Sequence, residues 1–277
     1  MTRWDPRQQA MLAEMGLRLW APDAAAVPTV PTVEVPPAAA DRPAAKAPTR
    51  PTPPPATVRP SAPVTTPAVA EAPVAVPAGA AASLDWPELE AAVAGCRACA
   101  LCESRTQPVF GVGPRQADWL VVGEAPGEQE DLQGEPFVGP SGQLLDRMLA
   151  ALGRSRAADA PAGRGVYIAN TLKCRPPRNR NPSPEELLRC EPYLQRQIAL
   201  LRPKLILAMG RFALQTLLKT DEPVGRLRGR VHHYQGVPLI VTYHPAYLLR
   251  SPLEKAKAWD DLCLAAAVAE QQGASAP

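Results

Sequence analysis

The chain has 277 residues, with 30 Lys and Arg against 27 Asp and Glu, a formal net charge of +3 and a pI of about 8.6. So mild a balance means that attraction to a polyanion must come from where the bases sit, not from their sum. No apolar run approaches the ~20 residues of a membrane span, and the N-terminal MTRWDPRQQAMLAEM has no apolar core of a secretory leader. A cytoplasmic location and no membrane partner are therefore expected.

In residues 1–20, Met11, Leu12, Met15, Leu19 and Trp20 recur at roughly helical spacing. This short amphipathic segment is too small to be a stable helix alone, and a protein partner that docks it is one reading of it. Residues 21–83 differ sharply. Of 35 prolines in the chain, 16 fall between Pro22 and Pro77, and no aromatic residue occurs from Ala21 to Asp85. Such a stretch cannot bury enough apolar surface to offset its ordering entropy, so it is expected to be a disordered Ala/Pro-rich linker with polyproline character.

Residues 84–272 are long enough for one domain with its own core. A helix is predicted over 86–95 and a buried strand over DWLVVG (118–123). A helix over 141–153 has Ser141 as N-cap and Gly153 as its stop. A second strand covers GVYIAN (165–170). A helix over 183–201 has Ser183 as N-cap and Pro184 at its first position, with a kink or split at Pro192. A third strand, KLILAMG (204–210), leads into a helix over 211–218. A fourth strand covers VPLIVTYH (237–244), and a last helix runs over 253–270. Continuous apolar strands alternating with helices predict a three-layer α/β fold whose central, mostly parallel, four-stranded sheet is flanked by helices.

In open α/β sheets, ligands bind at the carboxyl ends of the strands. Here those ends carry Gly123 and Glu124, then Asn170, Gly210 and His244. A carboxylate, an amide and an imidazole along one edge mark a site by geometry alone. The loop LQGEPFVGPSG sets Phe137 among glycines, either as a plug over the core or as a stacking platform. Neither a phosphate-loop G-K-[ST] nor a G-x-G-x-x-G signature occurs.

In a reducing compartment the six cysteines favour metal or cluster ligation over disulfides. Cys263, between Leu262 and Leu264, reads as a core thiol. The remaining five exceed a four-thiolate site, and Cys102 is the candidate to be spare. The spacings allow zinc or an iron–sulfur centre. Around Cys174 lie Lys173, Arg175, Arg178 and Arg180 without an intervening acid, and GRLRGRVHH adds Arg226, Arg228 and Arg230. A loop pinned at its cysteine and presenting these bases fits contact with phosphates.

The segments CRACALCESRTQPVFGVG, VVGEAPGEQEDLQGEPFVGPSGQLLDRML, YIANTLKCRPPRNRNPSPEELLRC and VTYHPAYLLR together resemble the family 4 uracil-DNA glycosylases, the iron–sulfur branch of their superfamily, over about residues 90–265. The resemblance implies that Cys96, Cys99, Cys174 and Cys190 hold a [4Fe–4S] cluster. It implies that Phe137 stacks on a flipped-out base and that Asn170 reads the Watson–Crick edge of uracil. Gly123 and Glu124 belong to the first motif, and His244 is the second-motif imidazole near uracil O2. Lys173, Arg175, Arg178, Arg180, Arg228 and Arg250 are the expected DNA contacts. Where the best-known branch has an Asp two residues after the first motif's Gly, this chain has Ala125.

The implied activity is hydrolysis of the N-glycosidic bond of uracil in single- or double-stranded DNA, by a monomer that leaves an abasic site. Two other readings stand beside it. One is a relative that binds or cross-links uracil-DNA without turnover. The other is a metal-stabilised accessory protein of the replication machinery.

Overall fold

The computed structural model describes Met11, Glu14 and residues 81–274. The expectations for the amphipathic segment and for all but the last residues of the linker fall outside the described residues. The described residues from Ala81 open in a 3-10 turn at Ala81–Ser83, where Ala81 is buried.

Five strands form one sheet: β1 (Trp119–Gly123), β2 (Val166–Asn170), β3 (Leu205–Met209), β4 (Val231–Tyr234) and β5 (Val237–Thr242), in the order β2-β1-β3-β5-β4. The helices are α1 (Trp86–Ala94), α2 (Leu101–Ser104), α3 (Glu128–Gln133), α4 (Pro140–Ala151), α5 (Pro184–Leu201), α6 (Arg211–Leu218), α7 (Val224–Leu227), α8 (Pro245–Arg250) and α9 (Lys255–Ala274). β1, β2, β3 and β5 run parallel, and every residue of β1, β2 and β3 is buried. That is the pattern of strands covered on both faces.

Side chains alternate between two cores because successive residues of a strand point to opposite faces. On one face Trp119, Val121, Ile168, Leu207 and Ile240 pack with Leu145, Met148 and Leu149 of α4, and with Trp259 and Leu262 of α9. Met11 is buried in the same cluster. On the other face Leu120, Val122, Ala169, Ile206 and Val241 pack with Leu194 and Ile198 of α5 and with Leu214 and Leu217 of α6. The three-layer expectation holds.

Three details correct it. The sheet has five strands, not four. β4 is an edge strand that pairs antiparallel with β5 through a two-residue turn, Gln235 and Gly236, both at positive φ. Right-handed twist favours turns of this kind. β4 carries the polar His232 and His233 and is mostly exposed, so it lacks the apolar run that marks the other strands. Second, α5 runs unbroken through Pro192. The carbonyl that loses its partner is that of Leu188, which is 67% exposed, so the proline removes a bond on the solvent side. Third, α4 begins at Pro140 with Gly139, not Ser141, as its N-cap, and no side-chain cap is made.

The sheet's two outer edges end differently. Val112 forms an antiparallel bridge with Ile168 on the free side of β2, with both backbone bonds made at 2.8 and 2.9 Å. At the opposite edge β4 is short and polar.

Candidate active site

The parallel register brings Gly123 of β1 opposite Asn170 of β2. Asn170 lines one cavity of about 730 Å³ at the carboxyl edge of the sheet with Glu124, Gly210, Phe137 and His244, and Gly123 packs directly against Asn170 and Phe137. The residues singled out by position in the sequence are thus brought together.

The floor of the cavity is tightly constrained. A Cβ on Gly123 would lie 2.4 Å from Asn170 Oδ1 and 2.7 Å from the Phe137 ring, so only glycine fits. Asn170 is 2% exposed, and its buried Oδ1 has no hydrogen-bond partner. Leaving a buried acceptor unmade costs about 1–3 kcal/mol. Phe137 is buried, with its ring stacked on His244 at 5.3 Å between centroids and 28° between planes. Its backbone is left-handed, at φ +56°. For a bulky residue this stores on the order of 1–3 kcal/mol and must be held by its surroundings.

His244 caps α8, and its Nδ1 accepts the Ala246 N–H at 3.2 Å. An acceptor nitrogen carries no proton, so the neutral ring bears its hydrogen on Nε2. Burial of the ring, with Arg250 acting in the same direction, pushes the imidazole down to about 4. It is therefore a neutral donor at physiological pH. Burial raises the Glu124 carboxyl above its usual range, and Arg211 pulls the other way. The Glu124 carbonyl accepts from Thr171 Oγ1 and from the Leu172 N–H, which ties the loop after β1 to the loop after β2. Ala125 lines the cavity where the best-known branch would place a carboxylate.

The loop after β2 continues into the thiols. Cys174 and Cys190 are buried, Cys96 and Cys99 are half-buried, and all four pack in one cluster with Leu89, Leu101, Leu172 and Tyr193. Among the described residues, no three Cys, His, Asp or Glu side chains close to the distances of a bound metal ion. The donor set nevertheless suits thiolate sulfur. Arg105 Nη1 donates to Cys174 Sγ at 3.0 Å, and the Lys173 N–H donates to Cys190 Sγ at 3.2 Å. Arg105 also donates to the Ala94 and Cys96 carbonyls, both at 3.0 Å. Burial raises the free thiols of Cys99 and Cys174 and pushes Cys190 up to about 12. Without a metal to hold the charge these groups are therefore protonated. Cys102 is half-buried and lies outside the cluster, and Cys263 packs on the α9 side of the core.

The expected cationic surface is only partly present. Lys173 is a correction, being 2% exposed. Its Nζ donates to the Asn170 carbonyl at 3.0 Å and to Gln197 Oε1 at 2.6 Å. It lies among four consecutive buried residues, Thr171 to Cys174, so its side chain falls inward. Burial pushes its ammonium down to about 8, against the pull of Cys190 and Cys174. Arg228 is also drawn inward, pairing with the fully buried Asp261 at 2.9 Å. Arg175 bonds Asn179 Oδ1 at 2.8 Å, and Arg180 makes two bonds to Glu186 at 2.6 and 2.9 Å. Arg178 and Arg250 are exposed. Arg180, Arg211 and Arg250 line the cavity.

Several site residues carried no sequence signal. Glu130 lines the cavity, and its carboxylate accepts from the N–H groups of Gly127, Val138 and Gly139 at 3.0, 3.1 and 3.4 Å. Arg105, Arg156 and Arg211 join them. Arg105 reaches a sulfur 69 positions away, and Glu130 and Arg156 hold loop backbone 3 to 20 positions away, partners that no motif spacing reveals.

Known proteins supply an independent comparison. The family model described as the Uracil DNA glycosylase superfamily matches residues 110–263. A type-4 uracil-DNA glycosylase of Archaeoglobus fulgidus is 44% identical over 168 residues, covering 58% of this chain and 81% of the relative. One of Pyrobaculum aerophilum is 38% identical over 191 residues, covering 65% and 93%, and one of Thermotoga maritima is 40% identical over 158 residues, covering 56% and 79%. With its cavity at the carboxyl edge and its thiols beside it, the chain belongs to the uracil-DNA glycosylase superfamily and, within it, to the type-4 uracil-DNA glycosylases.

Proposed function

We infer that this chain is a DNA-repair glycosylase that hydrolyses the bond between uracil and its deoxyribose, and that its cavity receives the base after it is flipped out of the stack. The observation that carries the assignment of roles is the buried, unpartnered Oδ1 of Asn170. Uracil offers N3–H to such an acceptor and O4 to the amide N–H. Cytosine offers an unprotonated N3 and an amino group, which leaves both ends of the amide unmatched.

Phe137 supplies the stacking face. Nε2–H of the neutral His244 donates to O2, where negative charge collects as the N1–C1′ bond breaks. The N1–C1′ bond breaks with its electron pair leaving on uracil, water adds to C1′, and the proton that the water loses passes through solvent to the departing uracil anion. Of the two carboxylates that line the cavity, Glu130 is committed to three backbone amides. Glu124 is left to orient the water. Arg178 and Arg250 are exposed for contact with the phosphates.

Cys96, Cys99, Cys174 and Cys190 are the ligands proposed for a [4Fe–4S] cluster, supported by the donors aimed at two of the sulfurs and by their common pocket. When bound, such a cluster ties the end of α1 to the loop after β2 and to α5. A reducing cytoplasm keeps those thiols available, and the protein acts there as a monomer.

The test is release of free uracil from a uracil-bearing oligonucleotide by the purified, brown protein, with Asn170→Ala as control. Absence of release, or a persistent protein–DNA adduct on a denaturing gel, overturns hydrolytic turnover.

A further inference from the structure

Phe137 sits in a conformation that a bulky side chain rarely adopts, so something must hold it there. Arg156, on the loop after α4, does so with an unusual grip. Its Nη1 donates to the Pro136 carbonyl at 2.7 Å, and its Nη2 donates to the Phe137 carbonyl, also at 2.7 Å. Those two carbonyls belong to the peptide planes on either side of the Phe137 Cα. One rigid guanidinium that bonds both planes fixes their relative rotation, and so fixes φ and ψ of Phe137 together.

The guanidinium is itself aimed. Nε and Nη2 bond the two carboxylate oxygens of Asp146 on α4, each at 2.7 Å, and the Arg156 side chain is only 15% exposed. The peptide that follows Phe137 is also held at its other end, where the Val138 N–H donates to Glu130. The Phe137 carbonyl lies so close to α4 that a Cβ on Gly142 would fall 1.6 Å from it.

Building on the reading of this cavity as a uracil pocket, we propose that Arg156 is a positioning residue for the base-stacking platform, holding the Phe137 ring at the angle that receives the base, with Asp146 setting the aim of its guanidinium. Arg156 is not itself among the residues lining the cavity. Without it the Phe137 backbone relaxes towards negative φ and the ring leaves its place beside His244.

The experiment uses the full chain with its cluster. Binding of free uracil is followed by calorimetry, and uracil release by single-turnover kinetics, for the parent, Arg156→Gln, Arg156→Lys and Asp146→Asn. Misplacing a binding surface by about 1 Å costs up to ~10²-fold. Arg156→Gln is therefore expected to weaken free-uracil binding and slow release by roughly 10- to 100-fold, while affinity for undamaged DNA and the thermal midpoint stay near the parent's. Arg156→Lys does not restore function, because an ammonium lacks the planar fork. In a Phe137→Ala background, Arg156→Gln has little further effect on uracil binding, which a merely structural role would not produce.

A folded Arg156→Gln protein that binds and releases uracil like the parent overturns the proposal. If that variant does not fold, Asp146→Asn decides: unchanged uracil binding overturns the proposal, and weakened binding at an unchanged midpoint supports it. A parent protein that neither binds nor releases uracil overturns the pocket reading and this proposal with it.

Discussion

The cavity and the thiol pocket share the loop after β2, yet they treat polar atoms in opposite ways. In the cavity a buried acceptor, Asn170 Oδ1, is left without a partner. In the thiol pocket the buried sulfurs already receive donors, from Arg105 and from the Lys173 backbone. The first arrangement is incomplete until a ligand with a matching donor arrives. The second is arranged to stabilise negative sulfur. Lys173 joins them, since its N–H reaches Cys190 and its Nζ reaches the carbonyl of Asn170. What distinguishes a recognition site from an anchoring site here is which groups remain unsatisfied.

That contrast is broken most sharply at Asn170. Asn170→Ala removes the amide proposed to pair with uracil, and the kcat/KM for uracil release is expected to fall by about 10⁴-fold; a loss under tenfold means the amide does not read the base. His244→Ala comes next, with an expected drop of about 10²–10³ in single-turnover rate.

On the thiol side, Cys190→Ser is expected to strip iron and visible absorption from the protein and lower its thermal midpoint, whereas Cys102→Ser leaves both unchanged. Iron content and a melting curve check the pair. Equal iron in both variants would show that Cys190 is no ligand.

The pH dependence sharpens the cavity side. His244 takes its proton near 6.5 in the unfolded chain but only at about 4 in the folded protein. Above pH 6.5 the ring is neutral in both states and its stabilising share is fully present. Between pH 6.5 and about 4 the unfolded chain binds the proton and the folded one does not, so stability falls, by up to about 3 kcal/mol. Denaturant titrations of the parent and of His244→Asn should differ over this window, the variant being the flatter. The same shift means that activity should pass through pH 6.5 without a break from His244.

The smallest effect belongs to the surface. Arg250→Ala is expected to weaken DNA binding severalfold and to reduce the slope of log affinity against log salt by about 1. Arg228→Ala, by contrast, should lower stability by leaving Asp261 buried without its partner.

The parallel strands and their flanking helices were legible because each strand is a continuous apolar run and each helix repeats its apolar face. The edge that carries the candidate site was legible for a related reason, since strand ends can be located once strands are known, and Asn170 and His244 sit there. Strand β4 escaped because an edge strand with one wet face carries no such run. Lys173 escaped because whether a base in a loop faces in or out depends on Gln197, which lies 24 residues on. Arg105 escaped likewise, being tied to a sulfur 69 positions away. The basic run around Cys174 therefore divides into the internal strut Lys173, Arg175 and Arg180 tied to neighbouring side chains, and the exposed Arg178.

The way the sheet ends at its two borders has a consequence for behaviour in a crowd. Open strand borders invite pairing between copies of a chain wherever its concentration is high. Here the Val112 bridge blocks one border, and the other is a brief ribbon carrying two histidines. Self-association through backbone pairing is thereby discouraged at both borders.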